Sequence, residues 1–165
     1  MTDSRQITRA GLDDWDVIWP IWHEIVAAGD TYAYDPTTSY EQAREMWLGP
    51  AEAEVWRLLE NGNVLGGYRI SPNHHGPGAH VANGSYMVGS AARGRGVGRA
   101  LVEHSLARAA EVGYLGIQFN AVAVTNVHAI GLYHRLGFAT VGTIPLGFRH
   151  PQQGLVDLLI MYRDL

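Results

Sequence analysis

Three arginines and three glycines interleave over Arg93-Gly94-Arg95-Gly96-Val97-Gly98-Arg99, after a run of strand formers and before a helical pattern. The start of a helix presents backbone N–H groups with no intrahelical partner and a partial positive charge. Glycine lets such a backbone come close to an anion. The chemistry offered is therefore phosphate binding, with a pyrophosphate as the natural ligand. It is not that of a nucleoside-triphosphate loop, because no Gly-Lys-Ser/Thr occurs. The dinucleotide pattern G-x-G-x-x-G also fails: its last glycine would fall on Arg99 or Leu101, and the next strand ends in Gln118 to Asn120 with no acid. The same glycines also suit a tight strand-to-helix turn with no ligand.

Further along, Asn126 opens a second helical pattern that ends at Gly137-Phe138. Tyr133 shares a stripe on it with Ala129, Ile130 and Leu136, which suits core packing, yet a phenol also offers a proton. Asn126 can cap its own helix. Asn120 stands mid-strand among apolar residues, and burying an unpaired amide is costly. It therefore marks a site, a bulge or a satisfied backbone contact. Other chemistries are excluded. The chain has no cysteine and no lysine, which removes disulfides, thiolate ligands, a cysteine nucleophile and a Schiff base. His74, His75 and His80 sit in a loop with Pro72, Gly76, Pro77 and Gly78, and no carboxylate or thiol completes a ligand set, so no metal is expected. A net charge of -4 and a pI near 6.0 argue against a nucleic-acid partner. No apolar run long enough for a bilayer and no secretory start are present, so no membrane partner and a cytoplasmic location are expected.

These residues need elements to position them. The length of 165 residues and a hydrophobic share of 47% suit a single domain over 1–165 with a sizeable core. A short strand is expected over Gln6 to Ala10. A helix capped by Asp13 or Asp14 follows, with Trp15, Ile18, Trp19, Trp22, Ile25 and Val26 on its apolar stripe and Gly29 ending it. Pro20 should kink this helix or mark its beginning. Ser39 and Gln42 form a capping box for a second helix through Leu48. Strands over Glu54 to Leu59 and Val64 to Ile70 flank the hairpin signal Asn61-Gly62. Next come a strand over His80 to Val88 and a helix over Gly98 to Val112 that buries Leu101, Val102, Leu106 and Ala109. After them come a strand over Tyr114 to Val122, a helix over Asn126 to Leu136, and strands over Phe138 to Gly142 and Leu155 to Tyr162. The order is α/β, with a mixed, mostly antiparallel sheet and one strand-loop-helix-strand unit at its centre.

Arg93-x-x-Gly96-x-Gly98 resembles the acetyl-CoA loop of the GCN5-related N-acetyltransferases (GNAT family). Asn126, Ala129, Tyr133, Gly137 and Phe138 are similar to that family's second signature, at the same offsets. The specific resemblance covers about Asn83 to Gly142. Asn83, Asn120 and Asn126, with Leu155-Val156-Asp157, look like the proline-analogue (azetidine-2-carboxylate) acetyltransferases. The loop from Thr31 to Pro36 and Gly147-Phe148-Arg149-His150 are similar to phosphinothricin acetyltransferases. The resemblance implies the GNAT fold: about six to seven strands splayed between the fourth and fifth, with about four helices. It implies acetyl-CoA as cosubstrate and no metal. The acceptor it implies is the amine of a small, amino-acid-like molecule, and a homodimer is a further expectation from it.

Direct attack of a neutral amine on the thioester is the simplest route for a chain without cysteine or lysine. The resemblance assigns Met87 and Val88 to backbone contacts with the cofactor arm, with the Val88 N–H polarising the acyl carbonyl. It assigns the pyrophosphate to the segment Gly96, Val97 and Gly98. Arg93, Arg95 and Arg99 face either a phosphate or solvent. Asn126 contacts the arm, and Tyr133 protonates the leaving thiolate. Many family members carry a carboxylate base ten positions before the arginine of the loop; here that position is Asn83, an amide, which can orient a substrate but cannot act as a base. Asn120, Thr31, Tyr32 and Tyr34 complete the expected acceptor site, with His150 and Asp157 as other candidates for the base. Two alternatives share the fold: a peptide or protein N-terminal acetyltransferase, and a non-catalytic acyl-CoA-binding module.

Overall fold

The apolar pattern folds as seven strands and four helices: β1 (Arg5–Ala10), α1 (Trp15–Ala28), α2 (Tyr40–Leu48), β2 (Glu54–Glu60), β3 (Asn63–Pro72), β4 (Val81–Val88), α3 (Val97–Glu111), β5 (Gly116–Ala123), α4 (Val127–Arg135), β6 (Ala139–His150) and β7 (Gly154–Asp164). The computed structural model describes residues 5–165. The strands form one open sheet in the order β1-β2-β3-β4-β5-β7-β6. Among the described residues every neighbouring pair is antiparallel except β4 and β5.

Local chemistry explains most boundaries. In α1 the buried positions are Trp15, Ile18, Trp22, Ile25 and Val26, and the Gly29 N–H closes the helix on the Val26 carbonyl. Pro20 neither starts nor ends α1: it lies on the exposed face, five residues inside the helix, where the stripe opposite it outweighs the backbone bond it removes. The capping box of α2 is complete, with Gln42 N–H on Ser39 Oγ at 3.2 Å and Ser39 N–H on Gln42 Oε1 at 2.9 Å. Asn61 and Gly62 both take positive φ (50° and 82°), the turn whose twist matches a two-residue hairpin. The last hairpin is longer than the sequence pattern indicates. β6 runs on past Gly142 through Pro145, because it is an edge strand that tolerates proline and its register with β7 slips between Ile144 and Phe148. At that slip Asp157 Oδ1 accepts the Leu146 N–H at 2.8 Å.

The sheet has a core on each face. On one, α3 brings Val97, Leu101, Val102, Leu106 and Ala109 against Tyr68, Ile70, Ala82, Ile117 and Phe119, with Ile130, Tyr133 and Leu136 of α4 beside them. On the other, α1 and α2 pack Trp15, Trp22 and Trp47 against Val55 and Met87. From the second face a column of near-parallel rings runs inward: Trp19 on Trp22 at 5.7 Å, Trp22 on Tyr34 at 5.6 Å and Tyr34 on Tyr32 at 5.4 Å. Two irregularities open the middle of the sheet. β4 and β5 pair only over Val81 to Asn83 with Gly116 to Gln118 and then part. β5 is also bulged against β7 between Phe119 and Val122.

Candidate active site

The glycine segment leaves β4 through a short turn over Ser90–Ala92, and Gly96 is the N-cap of α3. Gly94 and Gly96 have φ of 74° and 76°, a region that disfavours any side chain, and nothing lies within 4 Å of where a Cβ would stand. No side chain caps α3. The N–H groups of its first turn, at Val97, Gly98 and Arg99, are thus left for an external acceptor. A Cβ on Gly98 would stand 3.6 Å from Leu132 and 3.7 Å from Val88, at the mouth of the gap between β4 and β5. The three arginines take different partners. Arg95 pairs with Glu60, which also accepts Arg5 Nε at 2.6 Å, and Arg5 and Arg95 hold that carboxyl below the usual range. Arg99 pairs with Glu103 at 2.8 Å along the helix. Arg93 is exposed and has no ion-pair partner among the described residues.

Strand alternation decides which β4 backbone groups face the gap. The Gly89 N–H donates to Leu65 and the Asn73 N–H to Val81, so the odd-numbered residues of β4 exchange hydrogen bonds with β3. Met87 therefore turns its N–H and C=O to Gly67 and its side chain into the α1–α2 core. This corrects the expectation that Met87 lends its backbone to a cofactor arm. The even residues Tyr86 and Val88 face the gap instead. The loop after α1 reaches this edge: Tyr32 Oη donates to the Tyr86 carbonyl at 2.6 Å and accepts the Tyr86 N–H at 2.9 Å.

Beside this edge lies a cavity of about 220 Å³ whose lining brings together Thr31, Tyr32, Tyr34, Asn83, Asn120, Asn126 and Tyr133, with Ser85, Tyr86 and Phe119. The Tyr133 ring packs on Phe119 at 4.6 Å and Phe138 at 5.9 Å, and its hydroxyl has no hydrogen-bond partner among the described residues. Burial pushes that phenol well up, so it stays a proton donor. Core packing and a hydroxyl at the cavity are thus both true of Tyr133. Asn126 stands at the N-cap of α4, but its side chain makes no capping bond, contrary to the capping expectation. Its amide is left to the cavity. Asn83 Nδ2 donates to the Gln118 carbonyl at 3.1 Å, where the strands begin to part. Asn120 is exposed, not buried: the bulge turns it outward, where it donates to Asn73 Oδ1 at 2.7 Å and accepts from Gln118 Nε2 at 2.9 Å.

The lining contains no carboxylate and no histidine. His150 Nδ1 accepts the Gln152 and Gln153 N–H groups at 3.2 Å and closes the last hairpin, while Asp157 serves Leu146, so both alternative bases have structural work. Among the described residues no group of three His, Asp or Glu could hold a metal ion. Tyr86 was not foreseen. It lies two positions before Val88, so the alternation that presents Val88 to the gap presents it too, and Ser105 fixes its hydroxyl at 2.7 Å.

Comparison with known proteins bears on this geometry. The model of the acetyltransferase (GNAT) family matches residues 18–138. The N-acetyltransferase aca1 of Schizosaccharomyces pombe is 35% identical over 155 residues, spanning 82% of this chain and 72% of that protein. A GCN5-related N-acetyltransferase from Kribbella flavida superposes with a TM-score of 0.93 at 47% identity, over 98% of each chain. The acetyltransferase yncA of Salmonella typhimurium, solved with its cofactor acetyl-CoA, has a TM-score of 0.82 over 98% of this chain and 94% of its own, and at 24% identity it shares the fold.

Proposed function

The chain belongs to the GNAT family of acetyltransferases, and on that premise we propose that it transfers an acetyl group from acetyl-CoA directly to the amine of a small, amino-acid-like molecule. The observation that carries this reading is the convergence of Tyr133, Asn83, Asn120, Asn126 and Thr31 on one cavity beside the parted strands. The uncapped first turn of α3, the room at Gly96 and the unpaired β4 edge at Val88 fit the pyrophosphate and arm of acetyl-CoA. Acetyl-CoA, when bound, supplies the activated acyl thioester. In this reading Val97, Gly98 and Arg99 offer backbone N–H groups to phosphate, with Arg93 the guanidinium free to join them. Val88 offers an N–H at the reaction centre, and Asn126 holds the arm. Tyr133 keeps a proton at Oη for the departing thiol.

Asn83 and Asn120 orient the acceptor through their amides. No side chain in the lining takes a proton from an ammonium, so the acceptor reacts from its neutral form or through water. The sequence resemblance to azetidine-2-carboxylate and phosphinothricin enzymes supports an acceptor among amino acids and their cyclic or phosphinic analogues. A homodimer joined along the free edge of β6, where Val141 is 60% exposed, and a cytoplasmic location belong to the same reading.

A thiol-release assay with acetyl-CoA over amino acids, proline analogues and phosphinothricin tests it. Release with one member of the panel establishes both the activity and the acceptor class. No release, with acetyl-CoA bound in calorimetry, rejects this acceptor class and leaves a peptide acceptor or a binding module. The lining without a carboxylate or histidine base favours the second of those.

A further inference from the structure

We propose that Tyr32 sets the length of the acyl group this enzyme accepts; the proposal rests on the reading that acyl-CoA lies along the β4 edge. Val88 and Tyr86 are successive residues on that edge, separated by roughly 7 Å of strand. The peptide of Tyr86 is already occupied on both sides, its carbonyl by the Tyr32 hydroxyl at 2.6 Å and its N–H by the same oxygen at 2.9 Å. Tyr32 and Tyr86 line the acceptor cavity and Val88 does not, so on this reading Tyr32 stands as a partition along one side of the passage from Val88 to the acceptor, leaving the amine a route to the thioester.

The partition is braced. Tyr34 stacks on Tyr32 with planes 10° apart, and Trp22 and Trp19 continue the column into α1. To move aside, Tyr32 must surrender two hydrogen bonds and a ring stack together. An acyl group held at Val88 extends along the edge toward Tyr86, where the Tyr32 phenol is seated, so each added methylene advances toward that ring. Loop bulk, and not the depth of the acceptor cavity, thus limits the acyl chain.

Calorimetry with CoA, acetyl-CoA and butyryl-CoA, on the wild type and on Tyr32→Ala and Tyr32→Phe, tests this without needing the acceptor. The wild type should bind butyryl-CoA at least about tenfold more weakly than acetyl-CoA. Tyr32→Ala should bring the two within about threefold, and Tyr32→Phe, which keeps the ring and its stack, should retain most of the discrimination. Equal affinity of the wild type for both thioesters overturns the proposal, even if a variant fails to fold. So does an unchanged preference in a folded Tyr32→Ala. Failure of CoA itself to bind overturns the acyl-CoA reading, and the proposal with it; CoA binding without acyl discrimination overturns the proposal alone.

Discussion

In the proposed reading the chemistry rests most heavily on Tyr133, which lines the cavity, whose hydroxyl has no hydrogen-bond partner among the described residues and whose proton is held by burial. Tyr133→Phe should lower kcat by about 100-fold or more while the Kd for acetyl-CoA stays unchanged. An unchanged kcat would remove the acid role. The pH profile carries a second expectation. With no carboxylate or histidine in the lining to act as a base, the rate should rise with pH as the acceptor amine loses its proton. Because the Tyr133 pKa is raised, the donor form persists through the alkaline range, and no falling limb should appear below about pH 10. A limb at lower pH in kcat would show another group at work. Asn83→Ala should raise the acceptor KM by about tenfold and leave CoA affinity intact; steady-state kinetics beside calorimetry separates these. Tyr133 and Asn126 were singled out by the family resemblance, and both line the cavity; read alone, the first suited core packing and the second a helix cap. The exposure of Asn120 was not, because it follows from a bulge formed against β7, some forty residues away in sequence. The capture of Arg95 was hidden for the same reason: Glu60 lies 35 positions from it.

At the level of elements, the proposed phosphate cradle is a helix start made available by a left-handed glycine. Gly96→Ala should cost about 1–2 kcal/mol of stability through backbone strain and weaken CoA binding by about tenfold or more. Gly113, with φ of 98° just beyond the other end of α3, separates the two effects. Gly113→Ala should lower the melting temperature comparably and leave CoA affinity unchanged. If both variants lose affinity alike, the cradle is not at Gly96. The helices and the first hairpin were readable because caps, the apolar stripe and Asn61-Gly62 are local signals. The end of β6 was not readable, since Pro145 and Gly147 look like breakers until the edge position and register slip of that strand are known. The parting of β4 from β5 is likewise invisible locally and came from family resemblance.

The molecule as a whole is tied across its sheet by Glu54 of β2 and Arg108 of α3. They meet in a two-pronged pair, with both N···O distances at 2.9 Å, over the ring of Trp56. Hydrogen bonding to Arg108 holds the Glu54 carboxyl down to about 2. A carboxyl whose pKa is depressed on folding contributes stability fully present above its unfolded value of about 4.3, and loses it as pH falls through the folded one. The unfolding free energy should therefore decline from about pH 5 toward pH 2, and Glu54→Gln should be less stable at pH 7 with a flatter acid dependence. Urea melts at stepped pH measure this. An equally steep decline in the variant would assign acid sensitivity elsewhere.

The aromatic column also makes the protein its own optical probe. Of its five tryptophans, Trp19, Trp22 and Trp47 surround Trp15 at centroid distances of 6.2, 6.3 and 6.5 Å. At such spacing their electronic transitions couple, and this cluster should contribute strongly to the near-ultraviolet dichroism. Through Tyr34 it continues to Tyr32 on the cavity wall. Trp56 lies apart from that column, on the opposite face beside Arg108. Filling of the site should therefore register in that band and in tryptophan emission without any label, and a titration with acetyl-CoA followed by near-ultraviolet dichroism checks it.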